Sequence, residues 1–509
     1  MSTSANERKG RGVPTERFAV PVLALMISSC SIGPKYVRPP VETAPSYKEA
    51  PQPANHEPQT WQPAAPSDAA SRGKWWLAFN DPQLDELEEK AGASNWQIVA
   101  AADNLLAARA LVHQARSQDF PTLTTNPSAT RSLPSSGQFG GLESSKSISG
   151  LGVQTYNDFS LPFDASWEPD FWGRIRNNVK ANFYGAQASA ADLENVRLTV
   201  EAEVAVDYYE LRAQDSLKQV LDSTVAAYQA SLELTRAQYK VGLCSDEAEA
   251  QAEAQLEAAQ AQDSDLESLR DQYEHAIAAL IGQSPSTFSL RTNALDGPPP
   301  EIPVGVPSEL LERRPDIAFA ERSMAQANAQ IGVAKAAWFP SVLLSGEGGF
   351  GNSSVSNWLS WPSGFWAVGG ALSETIFDAG LRRATVQQYR ATYDETVANY
   401  RQTVLSAFQQ VEDNLASLRV LRQDLERQNA ATESARRAFE EATIRYKAGL
   451  DPYLNVVVAQ TTLLNDQQIL VTFRAQRMIA TVQLIKALGG GWSTAKLPTE
   501  KEIRASAAN

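Results

Sequence analysis

Two stretches of this 509-residue chain keep helical periodicity for longer than a compact domain can use, and one is a copy of the other. From Arg174 to about Val241 the residues Val179, Phe183, Ala186, Ala190, Leu193, Val196, Val200, Val204, Tyr208 and Leu211 recur every three or four positions. At 1.5 Å per residue such a helix spans roughly 100 Å. Gly242 breaks it, and a second helix is predicted from about Asp246 to Ile281, before Gly282 and Pro285 stop it. The plan then repeats. Gly380 with Arg382 answers Gly173 with Arg174, and Tyr446-Lys447-Ala448-Gly449-Leu450 answers Tyr239-Lys240-Val241-Gly242-Leu243, both glycine pairs lying 207 residues apart; Phe339-Pro340 likewise answers Phe120-Pro121. Each half reads as helix, strand, loop, strand, long helix, glycine turn and returning helix. The repeats are placed at 75–300 and 301–490, with a C-terminal tail at 491–509.

The second long helix shows how these elements pack. Tyr393, Val397, Tyr400, Val404, Phe408, Val411, Leu415, Leu418, Leu421 and Leu425 make nine steps over 32 residues, a period of about 3.56. That value lies between a coiled-coil seam and a straight helix, so the helices pack side by side with slight supercoiling. A first helix is expected over Pro82 to Gln118. Between the helices lie segments of strand character. Phe159, Leu161, Phe163, Ala165 and Trp167 alternate with Asp158, Ser160, Asp164 and Ser166, and further strands are predicted near Ser341–Phe350 and Phe365–Phe377. Trp358, Trp361, Phe365 and Trp366 cluster at the connection of that second pair, as rings at a membrane interface do, although a tryptophan-rich core has the same composition. After Ile27 no apolar run is long enough for a transmembrane helix, so a mature chain that crosses a membrane must do so with β-strands.

The N-terminus points to a membrane. Arg8, Lys9, Arg11 and Arg17 precede the apolar run Phe18–Ile27, which is too short to span a bilayer, and Ile27-Ser28-Ser29-Cys30 closes it. Residues 1–29 read as a signal peptide and Cys30 as a lipoprotein cysteine carrying diacylglycerol and an N-acyl chain. Several acyl chains, at about 0.8 kcal/mol per buried methylene, anchor a protein durably. A chance cysteine behind an ordinary secretory signal is the alternative. Ser31, rather than Asp, resembles the sorting signal of outer-membrane lipoproteins. Residues 30–74, rich in Pro, Ala and polar residues around Pro34–Pro66, are expected to be an extended tether, with folded structure starting near Trp75.

Composition excludes other classes. With 45 Lys and Arg against 59 Asp and Glu the net charge is −14, which argues against nucleic acid as a partner. His56, His113 and His275 have no ligand-spaced neighbours, so no metal site is expected, and Cys244 has no intrachain partner once Cys30 is acylated. Gly346, Gly348 and Gly351 spell G-x-G-x-x-G but stand between predicted strands with no helix to follow, a chance match in a flexible strand end. Acidic pairs such as Glu440-Glu441 and Glu412-Asp413 lie on long helices without a pocket signature. No enzymatic chemistry and no cofactor beyond the Cys30 lipid emerge.

Several short motifs carry a family resemblance. They are Gly33-Pro34-Lys35-Tyr36 with Arg38-Pro39, Trp75-Trp76 with Phe79 and Asp81-Pro82, Trp167-Glu168-Pro169-Asp170 with Gly173-Arg174, His275-Ala276-Ile277-Ala278, and Arg314-Pro315-Asp316-Ile317. In this order they resemble the outer-membrane efflux factors similar to TolC and OprM, in their lipoprotein branch. The resemblance implies a mixed α and transmembrane β fold: a homotrimer whose protomers each give four strands to one twelve-stranded barrel, continued by a periplasmic α-helical tunnel with an equatorial belt. Pro169 stands where the family often has an aliphatic residue and Ala379 where it often has glycine, so the strand-to-helix joints are expected to differ locally.

The implied function is a passive exit duct for drugs, metals or other small toxic molecules, fed by an inner-membrane efflux pump through a periplasmic adaptor. The alternatives are the exit duct of a protein-secretion system, or a lipid-anchored coiled coil without a pore. Val241, Gly242, Leu243 and Ser245 resemble the family's V-G-x-x-S adaptor-docking tip, with Gly449 and Leu450 as the repeat partner; both glycines also serve simply as turns. Glu440, Glu441 and Arg445 fall where the resemblance places the periplasmic gate, with a solvated outer helix face as the rival reading.

Overall fold

The computed structural model describes residues 32–41, 43–50, 73–133, 155–303, 305 and 307–505; the predicted signal peptide and lipid-bearing Cys30 lie outside them. Asp81 caps the first helix, α1 (Pro82–Ser94), by accepting from the amides of Gln83 and Leu84. The helix expected to run unbroken to Gln118 ends here instead. Asn95 is extended (φ −71°, ψ 125°), caps α2 (Trp96–Ser117) by accepting from Gln97 and Ile98, and donates through Nδ2 to the Leu280 carbonyl at 2.7 Å. A buried amide that satisfies both a helix start and a neighbouring helix end outweighs the helical propensity around it.

The chain then enters a sheet of β1 (Thr122–Thr125), β2 (Ser128–Ser132), β3 (Tyr156–Trp167), β4 (Ser341–Asn352) and β5 (Gly364–Ser373), all pairs antiparallel. β1 and β2 pair with opposite ends of β3, so Asn126-Pro127 interrupts what is one strand, and four strands stand side by side. β5 stops at Ser373, short of the predicted Phe377. Arg382 holds the carboxylates of Glu374 and Asp378 and the Thr375 carbonyl, which turns these residues into the joint with the next helix. Gly346, Gly348 and Gly351 are paired within β4, with Gly348 opposite Phe163 and Trp366, so small residues there make room for rings across the sheet rather than forming a loose strand end.

The long helices obey the repeat to the residue. α3 (Arg174–Lys240) and α6 (Leu381–Lys447) have 67 residues each, and the returning α4 (Asp246–Leu280) and α7 (Tyr453–Ala487) have 35 each. α5 (Pro315–Ala336) packs against both α3 and α6, and α7 packs against α3 and α6. Every residue of the ten-member α6 stripe is buried or half-buried, with Tyr400, Val404 and Val411 fully enclosed. The largest core lies at the waist, where Trp75, Trp76, Leu84, Tyr208, Ile277 and Val482 meet.

Gly173 and Gly380 start the long helices at φ +79° and +92°, and Ala379 also has positive φ, +51°. The departure noted in the sequence is therefore a strained left-handed alanine. Ala379→Gly should stabilise this joint by about 1 kcal/mol, read as a higher dissociation temperature of the assembled protein; no change would show that the joint relaxes in the assembly.

The N-terminal segment departs from a free tether. Ile32 donates to the Trp172 carbonyl, Tyr36 to the Glu321 carboxylate at 2.7 Å, and Arg38 to the Tyr400 hydroxyl, while the Glu412 carboxylate accepts from the amides of Lys48 and Glu49. Tyr47 is buried with Leu310, Val411 and Leu484. Residues 32–41 and 43–50 are thus a strap laid down the helices, fixed by aromatic burial that the Pro-rich composition hid, while residues 51–72 of the expected tether lie outside the described residues. The C-terminal tail also docks: Trp492 packs on Ala191 and Ala318, and Arg116 pairs with Glu500.

One buried acid at the waist has no partner among the described residues. Both carboxylate oxygens of Glu88 are unbonded, and burial raises its pKa well above normal, with Glu201 and Asp85 adding repulsion. Burial likewise pushes Glu201 up to about 7 although Trp75 donates to it at 3.0 Å. Acids raised in the folded state stabilise fully below their unfolded pKa, and that stability is lost as pH rises through the folded value. Thermal stability should therefore fall between about pH 5 and 8, and Glu88→Gln combined with Glu201→Gln should flatten the profile; an unchanged slope would assign it to other groups.

Candidate functional site

Strand geometry decides what the sheet can face. Side chains alternate, and the register places Leu123, Phe163, Leu161, Phe350, Trp366, Val368 and Leu372 on one face. Trp366 and Val368 are each 78% exposed and Leu372 71%, a band of bare apolar surface suited to hydrocarbon. The opposite face carries Thr122, Thr124, Ser160, Asp164, Ser166, Ser345 and Glu347. Asp164 and Glu347 are direct cross-strand partners on it. Arg131 is the one basic residue in the described strands, and it falls on the apolar side of the register, near the strand end.

The sheet is open at both sides. The outer edges of β1/β2 and of β5 have no partner among the described residues, and lipid cannot satisfy bare backbone groups. Such a sheet must be closed by other copies.

At the far ends of the helices the two glycine turns are built alike. Gly242 (φ +75°) donates to Tyr239 O and Leu243 to Gln238 O, both at 2.9 Å; Gly449 (φ +71°) donates to Tyr446 O at 2.9 Å and Leu450 to Arg445 O at 3.0 Å. Both are Schellman closures, which need a residue free to take positive φ. Ser245 stands immediately before α4 in an extended conformation. Val241, Leu243 and Leu450 are about 70% exposed (69, 77 and 68%), so the tips present apolar side chains to solvent. Cys244 donates to the Thr235 carbonyl, and burial pushes its thiol pKa up.

Glu440 and Glu441 are exposed on α6 and Arg445 lies one turn beyond them. Arg445 reaches Asp451 across the turn, at 2.6 and 3.3 Å, and this ion pair holds the Asp451 carboxyl below the usual carboxylate range. Beside it the Tyr446 hydroxyl donates to Gln238 Oε1 on α3, Ser231 donates to Tyr453, and the rings of Tyr446 and Tyr453 lie 5.3 Å apart. Sequence reading found Arg445 but missed Asp451, Gln238 and Tyr453. The 207-residue repeat, which brings Tyr239 and Tyr446 to equivalent tips, was the available signal.

A sheet with one lipid-compatible face, open edges and long helical hairpins beneath it defines a protomer of a multi-chain membrane β-barrel with a helical extension. Residues 87–283 and 306–490 match the outer membrane efflux protein family, and the chain belongs to that family. It is 31% identical to the toluene efflux pump outer membrane protein TtgF of Pseudomonas putida over 92% of this chain and 96% of that one. It is 32% identical to the pyoverdine export outer membrane protein OpmQ of Pseudomonas aeruginosa, over 86% and 92%. Among solved structures, the outer-membrane channel OprN superposes with a TM-score of 0.79 at 29% identity, covering 91% of this chain and 100% of that chain. The chain is accordingly one protomer of a trimeric outer-membrane channel that extends into the periplasm, the barrel taking four strands from each copy.

Proposed function

We propose that this channel is the passive exit duct of a tripartite efflux system, accepting small molecules from an inner-membrane pump through a periplasmic adaptor. The observation that carries the reading is the open-edged, two-faced sheet joined directly to two equivalent hairpins. It gives a pore wall at one end and repeated tips at the other. Toluene and pyoverdine, named for the relatives TtgF and OpmQ, are both small molecules, which favours small-molecule cargo over secreted protein. The purified trimer should form ion-conducting pores in a planar bilayer, and a complete lack of conductance would leave only a scaffolding role.

The polar face of the sheet lines the pore in this reading, and each copy contributes the Asp164–Glu347 pair at one level. Six carboxylates with no cation among them favour cations. Asp164→Asn with Glu347→Gln should lower the cation-to-anion permeability ratio, read from the reversal potential in a salt gradient; an unchanged ratio would place selectivity elsewhere.

Lipid on Cys30 anchors the same assembly. Ile32, two residues on, is bonded to Trp172, which stacks on Phe339 at 4.9 Å beside the strand ends, so the chain is fixed there about 7 Å of chain length after the acylated position. Mass spectrometry of the mature N-terminus should find an acylated Cys30; an unmodified N-terminus at another residue rules the anchor out.

The tips dock the adaptor, and Glu440, Glu441 and Arg445 belong to the gate. Exposed apolar residues supported by a rigid turn are what a partner hairpin needs to seat upon. The short bonds from Arg445 and Tyr446 supply the closure that keeps an unattached channel from leaking.

A further inference from the structure

We propose that each protomer carries, at the periplasmic shoulder of its barrel, a binding site for the headgroup of an anionic phospholipid, formed by Lys335, Trp338, Arg383 and Arg390. The inference rests on the outer-membrane placement and goes beyond the duct function.

A groove of about 530 Å³ opens between the end of α5 and the start of α6, lined by Lys335, Trp338, Arg383, Val386, Gln387 and Arg390. Its lining holds three cations and no anion, in a chain whose net charge is −14. Lys335, Arg383 and Arg390 make no ion pair among the described residues. The nearby acids do not neutralise them, because Asp378 and Glu374 are both held by Arg382. Arg382 in turn lies over the Trp338 ring at 5.1 Å, fixing the indole at the mouth of the groove, where it remains 48% exposed. Three unpaired cations beside one another repel, and such an arrangement persists where an anion completes it.

The level of the groove identifies that anion. Trp338 stands between the end of α5 at Ala336 and the start of β4 at Ser341, and α6 begins at Leu381, a few residues after β5 ends at Ser373. Arg383 therefore sits at the foot of the barrel, and Arg390 about 14 Å below the start of α6. The interfacial zone of a bilayer is roughly 5–7 Å deep on each side, within reach of long side chains that extend upward from below it. Ile376, Phe377 and Leu381, 95, 86 and 67% exposed, stand between the groove and the strands, suited to acyl chains whose headgroup lies in the groove. Trp338 and Phe339 occupy the position of an interfacial aromatic girdle. A volume of this size suits a small headgroup with its phosphate, and phosphate is bound bidentately by guanidinium groups.

The test is native mass spectrometry of the detergent-purified trimer titrated with phosphatidylglycerol or with phosphatidylcholine. The wild type should retain up to three phosphatidylglycerol molecules per trimer in preference to phosphatidylcholine. Removing charge should cost about fivefold per residue, so Arg383→Gln alone weakens the preference modestly and Lys335→Gln/Arg383→Gln/Arg390→Gln by on the order of a hundredfold. Arg383→Lys should keep most of it, and removing the same number of charges at Arg401, Arg427 and Arg437 should leave it intact. A preference unaltered in the triple variant overturns the proposal. Displacement of the lipid by excess inorganic phosphate also overturns it, because the site then takes free anions. A triple variant that no longer forms trimers shows the groove to be a contact between protomers and overturns it as well. Single-channel conductance of the same variants, expected at the wild-type value, separates failure of this site from failure of the channel reading.

Discussion

Channels carrying Leu243→Trp and Leu450→Trp will assemble as normal trimers yet leave the cell nearly as drug-sensitive as a strain without the channel. Both side chains are about 70% exposed (77 and 68%) at turns whose hydrogen bonds do not involve them, so the substitutions leave the hairpins closed. What they alter is the surface a partner seats on. A disrupted hot spot costs at least about 2 kcal/mol, roughly thirtyfold in affinity. Two tips per protomer repeat that loss around the trimer, and linked contacts fail together. The decisive measurement is cross-linking from Cys244 to the adaptor in living cells, alongside drug susceptibility. Undiminished cross-linking with full resistance would mean that the tips are turns and nothing more.

Tyr446→Phe combined with Arg445→Ala will open the channel from the periplasmic end. Tyr446 joins α6 to Gln238 on α3 and so ties the two hairpins of a protomer at their tips, while Arg445 joins α6 to Asp451 ahead of α7 and braces the turn of its own hairpin. A hydrogen bond contributes about 1 kcal/mol and an exposed ion pair less than that. Three copies acting on one concerted opening shift the equilibrium by several kcal/mol, enough to raise the open fraction on the order of a hundredfold. Bilayer recordings should show higher conductance, and cells should become sensitive to vancomycin, which an intact outer membrane excludes. Glu440→Gln or Glu441→Gln should weaken block by trivalent cations added from the periplasmic side. Wild-type conductance, vancomycin resistance and cation block in all these variants would remove Glu440, Glu441 and Arg445 from the gate.

The Arg445–Asp451 link has a defined pH range. The Asp451 carboxyl is held below its ordinary value by Arg445, so the link persists through neutral and mildly acidic pH and is lost as pH falls through the lowered pKa. Acid opening of the wild-type channel should therefore begin below the usual range of aspartate titration, and Asp451→Asn should abolish that acid response.

What the sequence determined by itself is whatever short-range chemistry controls. The 3.56-residue period of α6, the helix stops at Gly242 and Gly449 and the alternation of β3 depend on neighbours within a few residues, and the long helices and their turns lie where these signals put them. The duplication was legible for the same reason, since both copies carry the same local signals at one spacing. Tertiary structure alone decided the rest. Asn95 divides a helix-compatible segment because the Leu280 carbonyl needs its amide, and that carbonyl lies 185 residues away. The strap over residues 32–41 and 43–50 reads as a solvated tether until Glu412 and Tyr400 are brought beneath it. Arg445 carries no mark of its partner, and the cations at 335, 383 and 390 form a group only because α5 ends where α6 begins. Contacts of this kind join residues far apart in the chain, and their energies depend on a geometry that no local pattern encodes.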